Sequence, residues 1–137
     1  MTTMLDPAAL DRLAAEAWDA MLELHPLFAT TLGDRRFDRL VPPATPEEAA
    51  VGAARLRDLR ARLDDLGDPA PGQDAITVSA LRETLDAELA ELEAGMLAWN
   101  VNPLDSVPTS YLDVPAYQPL ATPADGEAMV ARWMAMA

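Results

Sequence analysis

Apolar residues recur at intervals of three and four along every long stretch of this chain, and this spacing most constrains its fold. In the first stretch the repeat runs through Leu10, Leu13, Ala14, Ala17, Trp18, Met21 and Leu24. In the longest it runs through Val78, Leu81, Leu85, Leu89, Leu92, Met96 and Trp99. Residues three or four apart share one face of an α-helix. The sequence therefore predicts an all-α fold.

Local signals set the ends of the first helix. Asp6-Pro7 opens it, because aspartate is a preferred N-cap and proline suits the first helical position. Pro26 disfavours helical geometry at His25, so the helix is predicted to end or kink there. A short helical piece is predicted over 27–32, followed by Gly33 in the left-handed conformation.

The next two helices are predicted to form an antiparallel hairpin. Thr45 and Glu48 make a capping box that starts the first of them, with leucines on one side and arginines on the others. Asp74 is predicted to cap the second helix, which is predicted to reach Trp99. The loop at 68–72 is short, and short loops join antiparallel neighbours. At 137 residues the chain is predicted to be one domain, residues 1–137.

The segment from Asn100 to Ala121 has a different character. It holds four prolines and shows no helical period, so it is predicted to be a long irregular connection. Thr122-Pro123 then repeats the start signal and opens a last helix, for which no closing signal precedes Ala137. The three tryptophans lie at apolar helical positions and are predicted to be core or interface anchors; they are Trp18, Trp99 and Trp133.

Charge and composition exclude several classes of protein. The net charge is −13, and from Asp64 to Ala131 there is a single basic residue, Arg82. Phosphate contacts need a basic face, so nucleic-acid binding is not expected. No run approaches the ~20 apolar residues of a membrane span, and the N-terminus lacks a basic signal region. With no cysteine there is no disulfide frame. The chain is predicted to be cytoplasmic.

His25 is the only histidine and the first candidate for chemistry. A zinc site would need further good ligands, and no second histidine exists. A Ser-His-Asp arrangement would need a positioned serine, but no Gly-x-Ser-x-Gly elbow is present around Ser79, Ser106 or Ser110. The interpretation favoured is a helix-terminating residue beside Pro26.

Two charged groups are candidates for binding sites. Arg35 and Arg36 suit a carboxylate or phosphate, but no glycine-rich phosphate loop accompanies them, which favours a turn whose arginines pair with nearby acids. Glu88 and Glu91 are neighbours on one helical face, and paired carboxylates bind metals or transfer protons only when buried. Their pattern indicates an exposed face. No catalytic, cofactor-binding or metal-binding residue is assigned.

Four segments together resemble a known family. They are AWDAMLELHPLFATTLGDRRFDRL, the Thr-Pro-Glu-Glu helix, LRETLDAELAELEAGMLAWNVNPLD and LDVPAYQPLATPADGEAMVARW. Their most specific pieces are Leu24-His25-Pro26, Leu32-Gly33-Asp34, Asn102-Pro103-Leu104-Asp105 and Pro119 to Pro123. In order and spacing they resemble the N-terminal region of the domain-of-unknown-function 885 family, which comprises large, mostly helical bacterial proteins similar to zinc metallopeptidases.

The resemblance implies a function for the whole protein rather than for this chain. Zinc is expected in the full-length protein, at a downstream His-Glu-x-x-Pro-Gly-His signature that is absent here. No zinc ligand or general base can be carried onto this chain, whose His25 does not match the signature. The expectation is an N-terminal scaffold whose helices form the wall of a peptide cleft, with the C-terminal portion of the same protein as partner. The alternative is a free-standing acidic helical module that binds a partner or self-associates.

Overall fold

The computed structural model describes residues 4–96 and 107–136, and these residues confirm the all-α prediction. They form six α-helices and one short 3₁₀ turn. The helices are α1 (Pro7–Leu24), α2 (Pro26–Thr31), α3 (Pro46–Asp65), α4 (Gln73–Glu93), α5 (Val107–Tyr117) and α6 (Pro123–Ala135), and the 3₁₀ turn is Arg35–Phe37. No helix within the described ranges has the length and apolarity needed to cross a membrane.

The contacts divide the chain into two units, each made of two separate stretches of sequence. The first unit comprises 1–20 and 45–97, and the second comprises 21–44 and 98–137. α1 contributes residues to both units, while α3 and α4 belong to the first and α2, α5 and α6 to the second.

The α3–α4 hairpin dominates the first unit, and its direction follows from its ion pairs. Arg57 pairs with Glu93, Arg60 with Asp86, and Asp64 with Arg82, at 2.6, 2.7 and 3.1 Å. Residue numbers rise along α3 as they fall along α4, so the two helices are antiparallel as predicted. Their common apolar side is formed by the buried residues Ala53, Leu56, Leu59, Leu63, Val78 and Leu85. Exposed ion pairs of this kind add only about 0–1 kcal/mol each, so the apolar side holds the hairpin together.

The ends of α4 differ from the prediction. Its N-cap is Gly72, and Asp74 lies in the first turn, where a carboxylate favours the positive end of the helix dipole. α4 ends at Glu93 rather than at Trp99, which lies outside the described residues. The physical reason is Gly95, whose φ of +66° leaves the right-handed helical region while its N–H bonds the carbonyl of Leu92 at 3.2 Å.

In the second unit, the His-Pro corner separates α1 from α2 as predicted. Pro26 occupies the first helical position of α2, and His25 adopts φ −119° and ψ 60°, outside helical geometry. α2 ends in a Schellman motif: the N–H of Gly33 bonds the carbonyl of Thr30, and that of Asp34 bonds the carbonyl of Ala29, both at 3.0 Å. Gly33 has the left-handed φ, +87°, that this motif requires.

The prediction of an irregular segment from Asn100 to Ala121 is wrong for Val107–Tyr117, which form α5. The prediction treats the prolines as helix breakers, but the positions of Pro108 and Pro115 allow a helix. Pro108 lies in the first turn, where the N–H has no partner within the helix in any case, and Pro115 lies in the last turn. The part of the predicted connection at 100–106 lies outside the described residues.

α6 begins where the second threonine-proline signal predicts. Thr122 accepts a hydrogen bond from the N–H of Asp125 at 3.2 Å, and the Asp125 carboxylate accepts one from the N–H of Thr122 at 2.8 Å. This is a reciprocal capping box like that of Thr45 and Glu48 at the start of α3. It fixes the first residue of α6, and with it the direction in which each later side chain of the helix points.

Candidate functional site

The structure places His25 at the junction of α1 and α2. Its N–H bonds the carbonyl of Met21 at 2.9 Å, and its own carbonyl accepts from the N–H of Ala29 at 3.1 Å. The backbone of His25 therefore both closes α1 and opens α2. This position agrees with the interpretation of a helix-terminating residue.

The Arg35-Arg36 pair lies against acids of its own turn. Arg36 pairs with Asp34, with Nη2 2.6 Å from Oδ2, and this hydrogen bond lowers the pKa of Asp34 below its ordinary value. The Arg36 guanidinium also lies 5.1 Å from the centre of the Phe37 ring. Arg35 Nη1 lies 3.4 Å from Asp38 Oδ2. Both arginines therefore stabilise the turn, as the favoured interpretation predicts.

The other residues considered from sequence do not come together. Glu91 is exposed and Glu88 is half-buried on α4, and Ser79 is exposed on the same helix. Ser110 lies in α5, where its carbonyl accepts from the hydroxyl of Tyr117 at 3.4 Å, and Ser106 lies outside the described residues. Within 4–96 and 107–136, no three His, Asp or Glu side chains are close enough to hold a metal ion.

Two tryptophans are not core residues. The side chains of Trp18 on α1 and Trp133 on α6 are 51% and 47% exposed, so the core part of their prediction is wrong. Each nevertheless lies at an apolar helical interval. Trp99 lies outside the described residues.

The most distinctive polar group in the described structure is one that the sequence did not suggest. Arg132 of α6 is completely buried, with 0% of its side chain exposed. Its Nε donates to the carbonyl of Leu40 at 2.9 Å and its Nη1 to Gln118 Oε1 at 2.7 Å. Its Nη2 lies within hydrogen-bond distance of the carbonyls of Phe37 and Pro26, at 2.7 and 3.4 Å. All three guanidinium nitrogens are therefore engaged.

Thr30 and Asp38 complete this arrangement, which we call the Arg132 cluster: Arg132, Thr30, Asp38 and Gln118. Arg132 Nη2 donates to the Thr30 hydroxyl at 2.9 Å, and that hydroxyl lies 2.7 Å from Asp38 Oδ1. Gln118 Nε2 donates to the carbonyl of Asp38 at 3.3 Å. All four side chains are buried. The cluster thus joins α2, the turn after it, the end of α5 and α6.

Burial dominates the electrostatics of the cluster. Loss of hydration lowers the pKa of Arg132 from its ordinary value, and the negative charge of Asp38 opposes that shift. An arginine stays protonated even so, because its ordinary pKa lies far above physiological pH. Burial also raises the pKa of Tyr111 and Tyr117 of α5, while Arg132 opposes this shift. The cluster thus holds a buried positive charge, that of Arg132, near the carboxylate of Asp38, and hydrogen bonds fix both groups in place.

The hydrogen bonds of the cluster are made to groups of the protein itself. Its donors point to backbone carbonyls and to the Thr30 and Gln118 oxygens, which are buried as well. A buried charge is tolerated when it is paired and hydrogen-bonded. These contacts therefore position α6.

α6 turns a charged side inward and an apolar side outward, the reverse of an ordinary surface helix. Ala128 and Arg132 are buried. Val130 and Met134, on the opposite side, are 63% and 73% exposed, and Trp133 lies beside them. These three residues and Met129 line an open apolar depression of about 360 Å³. We call these four residues the outer face of α6.

One feature of the sequence is consistent with a buried Arg132. Arg132 is the only charged residue in the run Ala128 to Ala137, AMVARWMAMA. A single arginine among apolar residues indicates either a snorkelling surface residue or a buried one with partners. Thr30, Asp38 and Gln118 give no such signal, since each is an ordinary residue of a helix end or turn.

The family of the chain follows from a family model that matches residues 26–137 and is described as "Bacterial protein of unknown function (DUF885)". Comparisons with curated proteins and with solved structures give no match. The matched segment begins at Pro26 and includes every residue of the Arg132 cluster. Because the match covers more than half of the chain, the chain belongs to this family, as the resemblance of its motifs predicted.

Proposed function

We propose that this chain is the N-terminal helical scaffold of a metallopeptidase-like hydrolase and is not catalytic by itself. The observation that carries the proposal is the Arg132 cluster. Its arginine, aspartate, threonine and glutamine are residue types that often do chemistry, but here they bind one another and the backbone of the 26–40 segment. A buried network that is fully hydrogen-bonded rigidifies the elements it joins. Fixed helices are what the wall of a substrate cleft needs.

Zinc would be held elsewhere in the full-length protein. Structural and catalytic zinc sites use Cys, His, Asp or Glu, usually three or four together. The chain has one histidine and no cysteine, and the described ranges bring no three such side chains together. Within 4–96 and 107–136, the residues therefore do not group as the ligands of a zinc site. In this proposal the ion and the general base belong to a downstream His-Glu-x-x-Pro-Gly-His segment, and the substrate is a peptide.

The chain's own contribution is geometric. Helices α2, α5 and α6, tied by the cluster, would bound one side of the cleft and contact the C-terminal portion of the same protein. We also propose a cytoplasmic location, which suits a chain without cysteine.

This proposal is tested by sequencing the reading frame beyond Ala137 and assaying the longer product. We expect the frame to continue into a His-Glu motif, and the longer product to hydrolyse peptides in a zinc-dependent way that the 137-residue chain alone does not. In the longer product, Arg132→Met should lower both activity and melting temperature, whereas Arg39→Met, which removes an exposed arginine, should change neither. Peptide hydrolysis by the 137-residue chain alone would contradict the scaffold role.

One observation favours a second function, that of a helical interaction module. The outer face of α6 exposes three large apolar side chains at adjacent helical positions, and contiguous apolar patches of this kind mark interaction sites. In this alternative the chain acts by binding, and the Arg132 cluster serves to hold the binding helix in place.

A further inference from the structure

Side-chain size changes along the outward side of α6, which consists of the outer face and Gly126. Gly126, Val130 and Met134 are four residues apart and form one ridge, and Met129 and Trp133 form the next. A Cβ atom added at Gly126 would meet nothing within 4 Å. The face is therefore open at the N-terminal end of α6 and bulky at its C-terminal end, where Trp133 and Met134 lie.

This gradient in side-chain size is self-complementary when two copies of α6 pair in one relative orientation. If two α6 helices lie antiparallel across a two-fold axis at Val130, Gly126 of one copy faces Met134 of the other, and Val130 faces Val130. Each large side chain then fills the space beside a glycine, and the two helix dipoles oppose each other favourably. A parallel pair would instead place Met134 against Met134 and leave a gap between the glycines. We infer that the outer face of α6 pairs in this antiparallel way with a second copy of the chain.

The distribution of charge favours the same contact. The chain has a net charge of −13, so two copies repel each other. The unit that contains α6 carries seven acidic residues and four arginines, whereas the other unit carries sixteen and six. On the outer face itself there is no charged side chain. Beside it, the exposed Glu127 lies 3.7 Å from Arg39. Repulsion between copies is therefore smallest when they meet through this unit.

The pair should be weak. A standard interface buries about 800 Å² on each partner, and one face of a 13-residue helix supplies only part of that. Trp133 would be its anchor, since tryptophan is enriched among interface hot spots. We expect dissociation in roughly the micromolar range or above. This inference does not rest on the peptidase-like proposal, because it concerns the 137-residue chain alone.

Single-cysteine variants test both the contact and its direction, because the chain has no cysteine of its own. At submillimolar concentration and with a short bismaleimide, Val130→Cys should form a cross-linked dimer. A matched control, Ser79→Cys on the exposed surface of α4, should react with the reagent without dimerising. Neighbouring thiols have a high effective concentration, so cross-linking of Val130→Cys should be roughly tenfold faster or more than that of the control.

Two further variants report whether the paired α6 helices are antiparallel or parallel. A mixture of Gly126→Cys and Met134→Cys should give a cross-linked pair, whereas each variant alone should give little. Self-linking of both variants, with none in the mixture, would indicate a parallel pair and overturn the inference. It would equally be overturned if Val130→Cys linked no faster than Ser79→Cys, or if sedimentation showed only monomer for the unsubstituted chain. Those results would mean that the outer face is covered by something other than a second copy.

Discussion

Arg132 Nη2 donates a hydrogen bond of 2.9 Å to the hydroxyl of Thr30, 102 positions earlier in the chain. The same hydroxyl lies 2.7 Å from Asp38 Oδ1, whereas the charged groups of Arg132 and Asp38 approach each other only to 4.0 Å. Thr30 thus accepts from the guanidinium and donates to the carboxylate. The opposite charges are therefore joined through a hydroxyl in addition to their longer ion pair of 4.0 Å.

The first prediction concerns the loss of the guanidinium. Arg132→Met keeps much of the side-chain volume but leaves the carbonyls of Phe37 and Leu40 and the Thr30–Asp38 pair without their donor. Removing one partner of a buried charged network costs about 3–5 kcal/mol. We expect a loss of that size in the free energy of unfolding, measured by urea denaturation.

Arg39→Met is the matched control for that substitution. Arg39 is exposed, and its partner Glu127 is exposed as well, at 3.7 Å. Such a pair contributes about 0–1 kcal/mol. Equal losses for the two variants would mean that the Arg132 cluster does not stabilise the fold.

The second prediction separates the hydroxyl of Thr30 from its methyl group. Thr30→Val preserves shape but removes the atom that joins Arg132 to Asp38, and leaving buried polar groups without a partner costs about 1–3 kcal/mol. Thr30→Ser keeps the hydroxyl and should cost less. Denaturation of both variants decides the point, and a serine variant less stable than the valine variant would assign the role of Thr30 to packing.

The cluster also shows where sequence reasoning stops. The capping boxes at Thr45 and Thr122 depend on residues three apart, so the sequence predicts both helix starts. The acceptors of Arg132 lie 92 to 106 positions away, apart from Gln118, and no local pattern pairs such distant residues. An arginine on a helix is expected on the surface, because charged residues are rarely buried. Only the packing of α6 against α2 and its following turn reverses that expectation.

The failure to predict α5 from the sequence has a different cause. The number of prolines predicts an irregular connection, but the effect of a proline depends on where in the helix it lies. Pro115 removes only one N–H near the end of α5, and the helix continues to Tyr117. Val114 of α5 is completely buried, and Gln118 just after the helix donates to the carbonyl of Asp38. These tertiary contacts outweigh the unfavourable local propensity.

The third prediction concerns the start of α6. Thr122→Ala removes the acceptor for the N–H of Asp125, and capping residues of this kind are typically worth about 1 kcal/mol. Thr45→Ala should cost a similar amount at α3. Thr84→Ala, in the exposed middle of α4, is the control and should change the free energy of unfolding little. A Thr122→Ala variant with an unchanged free energy of unfolding would show that α6 starts elsewhere.

The fourth prediction is a pH dependence. Hydrogen bonding by the Thr122 side chain, and then by its backbone N–H, lowers the pKa of Asp125 below its ordinary value of 3.8. The N–H of Ala121 contributes as well. The folded chain therefore holds the Asp125 proton less tightly than the unfolded chain. The resulting stability is fully present above pH 3.8 and is lost as the pH falls through the lower, folded value.

Asp125→Asn tests that dependence. The variant should be less stable than the unsubstituted chain at neutral pH, and the difference should shrink as the pH falls below the ordinary aspartate pKa. In the Thr122→Ala background the same comparison should give a flatter curve, because the Thr122 hydroxyl, the largest cause of the lowered pKa, is gone, although the backbone N–H still bonds the carboxylate. A difference that stays constant down to acid pH would contradict the role of the Asp125 charge. Both curves come from denaturation at a series of pH values.

The long sequence separation within the Arg132 cluster has a consequence for synthesis on the ribosome. α3 and α4 are neighbours in sequence, so their hairpin is able to form as soon as it emerges. The 26–40 segment, by contrast, waits for residue 132, because its carbonyls are 92 to 106 residues from their donor. At ~5–20 residues per second this delay is roughly 5–20 s. During that interval the polar groups of the nascent corner are hydrated by water, and the arrival of α6 replaces the water with the arginine.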